Sequence, residues 1–446
     1  MSSSETVSFA STSRSRAAAR RKAILSCSIG NFLELFDFVV FGFFAATIGR
    51  NFFPSTDPTI SLLSSFATYG VGFVMRPVGA MLLGAYGDRH GRKRMLVLTI
   101  ALMALATGGM AVVPPYAAIG IWAPVLLLAC RLLQGLATGG EWGAAATFLV
   151  EYAEPGRRGL TGSFQQMGFG FGMIGGTLSA TLVNGLLSPA AVELWGWRVP
   201  FVIGCLIAPV AVYIRARVEE TPLFRKTEAA HHVATSPLRD ALRLYWREIL
   251  TVAGIGIVGT VGGYICNVFL PPFAIQRLGL PAGSVYLMTM VSSVVQTVGI
   301  LLAGAWSDRI GRKAVLMMSA AGYLVLIYPL FLLLVHAPSM TTFAMAQVIP
   351  AILVAMNSGP LAAVLCELFP TRVRLTALSV GYSLAVALFG GFAPFIATAL
   401  IRQTGDLTSP TWYGLLCAAI TVVTLLRMRD PTNRPLDEDD IVPGRG

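Results

Sequence analysis

Two acidic side chains interrupt one of the most apolar stretches of this sequence. Glu34 and Asp37 lie inside the segment "GNFLELFDFVVFGFF" at 30–44, where the other residues are mostly aromatic, aliphatic or small. Residues three apart share one face of a helix, so both carboxylates are expected to point the same way. Nearby charges and burial set whether a carboxyl group in apolar surroundings holds its proton. The two residues are therefore candidates for proton binding and release.

The composition around these residues is that of a polytopic membrane protein. The 446-residue chain is 55% hydrophobic and 12% charged, with a mean hydropathy of +0.70, whereas soluble domains carry about 25% charged residues. A membrane-spanning helix needs about 20 mostly apolar residues. Twelve such stretches predict an all-α membrane protein with twelve transmembrane helices. They lie near 24–48, 59–85, 95–114, 122–150, 162–186, 199–216, 249–272, 283–306, 315–335, 341–366, 376–400 and 410–427.

The basic residues predict the orientation of the chain. With the N-terminus in the cytoplasm, 27 of the 33 Lys and Arg residues fall on the cytoplasmic side, including those in loops 86–94 and 215–247, in accord with the positive-inside rule. The net charge of +11 then follows from topology, and no nucleic-acid partner is expected. We expect a multi-pass protein of the inner (plasma) membrane, surrounded by the lipid bilayer, with both termini in the cytoplasm.

A repeat divides the chain into two halves. "GAYGDRHGRKR" at 84–94 recurs as "GAWSDRIGRKA" at 304–314, with seven of eleven positions identical, and "EYAEPGRRG" at 151–159 is weakly echoed by "ELFPTRVR" at 367–374. Two pseudo-symmetric six-helix bundles around a central path are predicted. The predicted divisions are a disordered cytoplasmic tail at 1–23, an N-terminal bundle at 24–216, a central cytoplasmic loop at 217–248, a C-terminal bundle at 249–427 and a cytoplasmic tail at 428–446.

The doubled loop has the residues of a conformational gate. Glycines permit a tight turn, the two aspartates can face the N-terminus of a neighbouring helix, and the basic residues stay in the headgroup zone. A single copy would fit a solvated turn, but two copies in register favour a charged latch that forms and breaks as the halves rock. The predicted gate residues are Gly84, Asp88, Arg89, Gly91 and Arg92, with Gly304, Asp308, Arg309, Gly311 and Arg312 as their counterparts.

These motifs carry a family resemblance. The doubled loop resembles the signature of the major facilitator superfamily, and "ELFDF" (34–38), "MRPVGA" (75–80), "RLLQGLATGGEWGA" (131–144) and "EETPLFR" (219–225) together resemble its metabolite:proton symporter family. The stretch 377–413 is most similar to citrate and tricarballylate symporters, whereas "GGEWGA" is closer to shikimate and osmolyte branches. The resemblance implies the major facilitator fold and proton-driven import of a small organic acid by alternating access, without a cofactor. A monomer is expected.

Five charged residues fall within predicted spans, all in the N-terminal half: Glu34, Asp37, Arg76, Arg131 and Glu141. Each costs about 2.5–3.5 kcal/mol on insertion scales and so needs a reason. Asp37, assisted by Glu34, is the predicted proton site, and Arg131 resembles the arginine that many symporters of the superfamily place beside a helix-1 acid. Arginine binds carboxylates through a bidentate fork. The predicted substrate-binding residues are Arg76, Arg131, Glu141, Asn267 and Asn357.

Other functions remain open at this stage. The aromatic residues of the first helix are compatible with a cage for a quaternary ammonium, which keeps a betaine or proline symporter as an alternative, beside a shikimate-like monocarboxylate. A receptor that binds without transporting is an alternative of another class. An enzyme is not expected, because the sequence has no P-loop, H-E-x-x-H or Ser-His-Asp signature. The six cysteines occupy separate spans without a C-x-x-C pair, so no metal site is predicted.

Overall fold

Twelve long helices form the architecture. In chain order they are α1 (Ser3–Phe43), α2 (Pro58–His90), α3 (Arg92–Val112), α4 (Trp122–Glu151), α5 (Arg158–Leu186), α6 (Val199–Ala216), α7 (Trp246–Tyr264, continued by Ile265–Phe269 and Leu270–Gln276), α8 (Ala282–Ile310), α9 (Arg312–His336), α10 (Met340–Glu367), α11 (Arg374–Ala385, continued by Val386–Gly390 and Ala393–Thr404) and α12 (Pro410–Arg427). The computed structural model describes residues 3–229 and 236–436, and all regular structure within these ranges is helical.

The prediction of an all-α, twelve-span membrane protein is confirmed. Within the described ranges, eleven helices are long and apolar enough to cross a membrane. The remaining predicted span lies in α2, which has 33 residues and carries Arg76 within its length. The loops between α2 and α3 and between α8 and α9 are so short that Gly91 and Gly311 alone separate the paired helices.

The two halves repeat one packing scheme. In the first half α1 packs on α5 and α2 packs on α4, and in the second half α7 packs on α11 and α8 packs on α10. Across the seam α2 packs on α11 and α8 packs on α5, which is again one contact and its symmetry mate. The pattern agrees with the offset of the repeated loops and shows two six-helix bundles.

Small residues bring α2 and α4 close together. A side chain at Gly135 or Gly139 on α4 would overlap the backbone of α2 at Gly72 or Arg76. Small residues at helix interfaces allow this close approach in membranes. The glycines of the segment at 131–144 thus fix the depth and direction from which Arg76 leaves its helix.

The segment before the first predicted span differs from the sequence prediction. The predicted tail at 1–23 was expected to be disordered, but α1 already begins at Ser3, in a segment whose Ala and Arg residues have high helix propensity. The central loop holds two short helices, Pro222–Ala229 and Pro237–Leu244, while residues 230–235 lie outside the described part. Of the C-terminal tail, residues 428–436 are described and 437–446 are not.

Two helices of the second half contain a π-helical turn. These turns are Ile265–Phe269 in α7 and Val386–Gly390 in α11. Prolines follow both turns, at 271–272 and at 394, and a proline removes a backbone donor from the helical ladder. Such turns are frequent at functional sites. Both helices border the cavity described next.

Candidate transport site and the latches between the halves

A cavity of about 250 Å³ lies between the two bundles. Its walls come from α1, α2, α4 and α5 on one side and from α7, α8, α10 and α11 on the other. Among its lining residues, the charged ones are Glu34 and Arg76. Neutral polar side chains from both halves complete the wall, namely Gln166, Thr260, Asn267, Ser293, Gln296, Thr297, Asn357 and Ser358.

Glu34 and Arg76 form an ion pair at the cavity wall. Arg76 Nη2 donates to Glu34 Oε1 at 2.9 Å, and both side chains are almost fully buried. The pairing is incomplete, since Glu34 Oε2 and Arg76 Nε have no hydrogen-bond partner within the described protein. Cation–π contacts hold the guanidinium on its other sides, 4.9 Å from the centre of the Phe73 ring and 5.4 Å from that of Phe38.

Aromatic rings from both halves meet around this pair. Trp142 on α4 stacks on Tyr382 on α11 with ring centres 3.9 Å apart, and Phe73 on α2 meets Tyr264 on α7 edge to face at 5.7 Å. The indole nitrogen of Trp142 has no partner within the described protein, although it is a hydrogen-bond donor. The cavity is therefore an aromatic chamber with one charge of each sign.

Asp37 points away from the cavity lining. Its Oδ2 accepts hydrogen bonds from the Thr107 hydroxyl on α3 and, at 3.2 Å, from Gln134 Nε2 on α4, while Oδ1 has no partner within the described chain. Gln134 Oε1 in turn accepts from Arg131 Nη1 at 2.6 Å. Among the described residues no ion pair joins Asp37 to Arg131, because the amide of Gln134 lies between them.

Arg131 is fully buried and held mainly by aromatic rings. Its guanidinium carbon lies 3.6 Å from the centre of the Phe41 ring, with Phe38 and Tyr69 at 5.5 and 5.7 Å. Two of its nitrogens, Nε and Nη2, have no hydrogen-bond partner within the described residues. Arg131 does not line the cavity, and its role in substrate binding stays a prediction.

Glu141 belongs to a separate buried ion pair. Its carboxylate accepts from both terminal nitrogens of Arg215 on α6 and from the Thr99 hydroxyl on α3. Arg215, which its position assigned to the cytoplasmic loop, is 1% exposed inside the bundle. A side chain at Gly30 on α1 would overlap this pair. Glu141 is outside the cavity lining, and its full set of partners ties α3, α4 and α6 together.

The neutral polar residues of the second half bond mostly to their own bundle. Asn357 Nδ2 donates to the carbonyl of Ile255 at 3.2 Å, and Asn267 Nδ2 donates to Gly263 at 3.0 Å and to Gln296 Oε1 at 3.4 Å. Both asparagines line the cavity, as does Arg76. Of the five predicted substrate residues, the structure thus brings three together and leaves Arg131 and Glu141 apart.

The repeated loops form two equivalent contacts across the seam. Asp88 at the end of α2 accepts hydrogen bonds from the backbone nitrogens of Leu375 and Thr376 at 3.2 and 2.8 Å, at the N-terminus of α11. Asp308 at the end of α8 accepts from Gly159 and Leu160 at 2.8 and 2.9 Å, at the N-terminus of α5. A helix N-terminus favours a carboxylate through its free N–H groups and its dipole.

Arginines and glutamates extend each contact into an ion-pair cluster. Arg92 lies 3.2 Å from Asp88 and 3.5 Å from Glu151, which also binds Arg374 of the other half at 2.8 Å. The mate of this cluster follows the same plan. Arg312 lies 2.7 Å from Asp308 and 3.3 Å from Glu367, and Glu367 binds Arg158 of the first half at 3.3 Å. We call the surface that carries both clusters the loop face.

The remaining predicted gate residues have different roles. Gly91 and Gly311 adopt φ of +100°, a backbone conformation that favours glycine. Gly84 and Gly304 allow close approach, because a side chain there would press on the backbone of α11 or α5. Arg89 and Arg309 are exposed at the helix ends and outside the buried ion-pair clusters. With both clusters formed, the halves are joined at the loop face.

Several residues of these networks were missed from the sequence. Thr99, Thr107 and Gln134 carry no signal, since polar neutral residues are common in spans. Arg215 sits at the predicted end of a helix, where an arginine normally reaches the headgroups. Glu151 and Glu367 had a usable signal, because both open the echoed segments that follow the fourth span of each half.

Comparison with known proteins agrees with this architecture. Residues 27–283 and 252–441 match the Major Facilitator Superfamily. The chain is 37% identical over 412 residues to the citrate-proton symporter of Klebsiella pneumoniae, covering 92% of each protein, and 32% identical over 425 residues to the proline/betaine transporter of Escherichia coli (strain K12), covering 93% of this chain and 85% of that one. A structure of the proton:xylose symporter XylE superposes with a TM-score of 0.79 at 16% identity, over 95% of this chain and 98% of that one.

This chain belongs to the major facilitator superfamily, and its relatives are transporters rather than enzymes. The structural likeness at 16% identity shows the shared fold alone. The curated relatives transport substrates of different charge, so the substrate has to be argued from the cavity.

Proposed function

We propose that the protein is a proton-coupled symporter that imports a small organic acid, a di- or tricarboxylate such as citrate or tricarballylate. The observation that carries this proposal is Arg76, a buried arginine on the wall of the cavity between the two halves. A carboxylate crossing the membrane midplane needs a fixed cation, and arginine presents one in bidentate form. The 37% identity to a citrate-proton symporter supports the same substrate class.

The loop face is the cytoplasmic side in this proposal. The positive-inside rule supports that orientation, and both latch clusters are then closed toward the cytoplasm. Transport requires them to open, so that the halves rock about the central cavity and expose it alternately to the two sides. Both termini are cytoplasmic, and the driving force is the proton gradient without a cofactor.

Asp37, Glu34 and Arg131 form the proposed proton-coupling group. A trianion entering against a membrane potential of 100 mV costs about 7 kcal/mol, so protons must accompany it. Asp37 is buried beside Thr107 and Gln134, and protonation would remove its charge from the bundle. Gln134 links Arg131 to this carboxylate, because its side-chain amide accepts a hydrogen bond from Arg131 and donates one to Asp37.

A symporter of a zwitterion such as betaine or proline is the second candidate. The cavity holds one acid and one base, and aromatic rings surround them, which would suit a ligand with one charge of each sign. The 32% identity to a proline/betaine transporter favours the same alternative.

Uptake into proteoliposomes tests these proposals. Labelled citrate, tricarballylate, shikimate, proline and glycine betaine are offered with and without an inward proton gradient. We expect accumulation of a di- or tricarboxylate that slows when the outside is made alkaline. Accumulation of betaine or proline alone would replace the organic-acid proposal with the second candidate, and counterflow without accumulation would contradict proton coupling. Binding without counterflow would indicate a receptor.

A further inference from the structure

The charge inventory of the cavity limits the form in which an acid can bind. Among the described lining residues the cation is Arg76, and it already forms an ion pair with Glu34. An ionised carboxylate that is buried without a partner is costly. A substrate with two or three ionised carboxylates would bring more negative charge than one arginine offsets, even if Glu34 were removed.

We propose that the substrate carboxylate displaces Glu34 from Arg76 while Glu34 takes up a proton, so that a polycarboxylic acid is bound as its monoanion. This inference rests on the proposed organic-acid function. The exchange balances: one proton enters from solution onto Glu34, and one carboxylate replaces another on the same guanidinium. The net charge of Arg76, Glu34 and the bound carboxylate stays at zero throughout.

The geometry around the pair supports an exchange rather than a fixed structural bridge. One oxygen of Glu34 and the Nε of Arg76 have no partner within the described protein, whereas the Glu141–Arg215 pair is bonded through both carboxylate oxygens. The cavity also presents Trp142 Nε1 and Asn357 Oδ1 without partners. A donor and an acceptor of this kind can bind the protonated carboxyl groups of a monoanion.

The groups that face Glu34 are compatible with protonation at this residue. Arg76 on α2 and Glu141 on α4 are the charged groups that act on it, and Tyr69, Tyr264 and Tyr382 are the ionisable groups of the cavity wall on α2, α7 and α11. Phenols are neutral near pH 7. On α5, which packs on α1, the cavity wall includes Gln166 and Phe169, and neither side chain is ionisable. Once a substrate carboxylate takes Arg76, Glu34 loses its nearest cation, and its charge is then opposed by both burial and the new anion.

Proton uptake on binding tests the exchange without a membrane gradient. Binding of citrate and tricarballylate to the detergent-solubilised chain is measured by calorimetry in two buffers of different ionisation enthalpy, for the wild type, Glu34→Gln and Glu193→Gln. Protons taken up by the acid itself are common to all three proteins and cancel. We expect Glu34→Gln to take up about one proton fewer than wild type when the acid binds. Its affinity for the acid should therefore depend less steeply on pH, by up to tenfold per pH unit.

Glu193→Gln is the matched control, since Glu193 also pairs with an arginine, Arg50, at 2.6 Å but does not line the cavity. We expect it to keep the wild-type proton count on binding. Equal proton counts in wild type and Glu34→Gln, or the same loss of a proton in Glu193→Gln, would overturn the exchange while leaving the organic-acid function intact. No binding of either acid by wild type would overturn both. If Glu34→Gln does not fold, Glu34→Asp supplies the test. The shorter side chain should compete less well with the substrate carboxylate for Arg76, so the affinity for citrate and tricarballylate at alkaline pH should rise. An unchanged substrate affinity would contradict the exchange.

A second inference concerns the chain beyond α12. Residues 428–436 run across the loop face, where Lys313 Nζ donates to the carbonyl of Met428 at 2.6 Å and the backbone nitrogen of Arg312 donates to the Thr432 hydroxyl at 2.7 Å. These contacts lie at the start of α9, within the same half. The segment is therefore attached to its own bundle before it reaches the seam.

The last described residues then contact both latch clusters. Arg158 of the first half donates to the carbonyl of Arg434 at 2.6 Å, and Arg374 donates to that of Leu436 at 2.8 Å. Leu436 is 4% exposed and belongs to the core cluster that includes Tyr245, Phe369 and Val373. Arg158 and Arg374 are also the arginines that pair across the seam with Glu367 and Glu151.

We infer that residues 434–436 form a strap that holds the loop face closed and must leave before the halves can separate there. The first half offers a contrast: after α6, Glu220 accepts from the backbone nitrogen of Lys93 at 3.0 Å, the counterpart of the Thr432 contact, but the chain then continues into the central loop. Only the second of these two exit segments bonds to an arginine of the opposite bundle in the described residues.

Hydrogen exchange of the intact transporter tests the strap. A chain ending at Asn433 is compared with one ending at Leu436, which lacks only residues 437–446. Because the amides of Gly159, Leu160, Leu375 and Thr376 close the latches, peptides that contain them should exchange several-fold faster in the shorter chain, while the longer one matches the full-length protein. Equal exchange in the two truncated chains would overturn the inference. Leu436→Asp in the full chain should reproduce the faster exchange.

Discussion

The two halves share one packing scheme but handle polarity differently. The first half buries the Glu34–Arg76 and Glu141–Arg215 ion pairs and the Asp37 cluster. The corresponding interior of the second half carries neutral groups such as Gln347, which donates to the carbonyl of Cys266 at 2.9 Å, and places its irregularity in the backbone, as π-turns in α7 and α11. The two halves thus contribute equivalent latch clusters, but they contribute different polar groups to the interior.

This difference separates two tasks. Closing the loop face uses both halves, because each supplies the aspartate that binds a helix N-terminus of the other. Charge handling does not need symmetry, since one set of titratable groups suffices to couple a proton to a substrate. The repeated loops close the loop face from both halves, whereas the buried charges that handle protons and substrate lie in the first half. Four predictions test this division, from the largest expected effect to the smallest.

Arg215→Met should cause the largest loss of stability. It leaves Glu141 as a buried carboxylate without its arginine, and breaking one partner of a buried pair typically costs about 3–5 kcal/mol. The matched variant Glu141→Gln/Arg215→Met removes both charges and should recover most of the loss. Thermal unfolding in detergent measures both variants. Equal melting temperatures for wild type and Arg215→Met would show that the pair does not support the first bundle.

Asp37→Asn should abolish accumulation but preserve exchange. Asparagine mimics the protonated carboxyl group and can keep a hydrogen bond to Thr107 or Gln134, so the fold is retained while the proton site is lost. Proton-driven accumulation should fall to passive equilibration, with substrate counterflow near the wild-type rate. Loss of both activities in a folded variant would indicate a structural role, and undiminished accumulation would refute the assignment.

The sequence predicted the fold and the latches more completely than the site. Span count, repeat and gate residues follow from hydropathy and from a motif that occurs twice, and both signals are local in the sequence. Which carboxylate meets which arginine depends on helix rotation and packing, so the spacing of Glu34 and Asp37 could not show that one turns to α2 and the other to α3 and α4. Nor could it show that Gln134 separates Asp37 from Arg131.

Asp88→Asn and Asp308→Asn should have similar, intermediate effects. Each removes the charge that two backbone N–H groups of the opposite half bind, an interaction that contributes up to about 2 kcal/mol when partly buried. Both variants should therefore populate the state open at the loop face several-fold more than wild type, as measured by hydrogen exchange at the starts of α11 and α5. A large effect from only one of them would show that the latches are not equivalent.

Asn267→Ala should have the smallest effect. Asn267 sits within the π-turn of α7 and lines the cavity, with hydrogen bonds to Gly263 and Gln296. Polar side-chain contacts between membrane helices contribute about 0.6 kcal/mol on average, so we expect transport affinity to fall about threefold. Asn184→Ala is the control, because Asn184 bonds to Ala180 on its own helix and does not line the cavity. If Asn267→Ala instead matched the loss caused by Arg76→Gln, the second half would bind the substrate as strongly as the first, and the proposed division between a charged binding half and a neutral shaping half would fail.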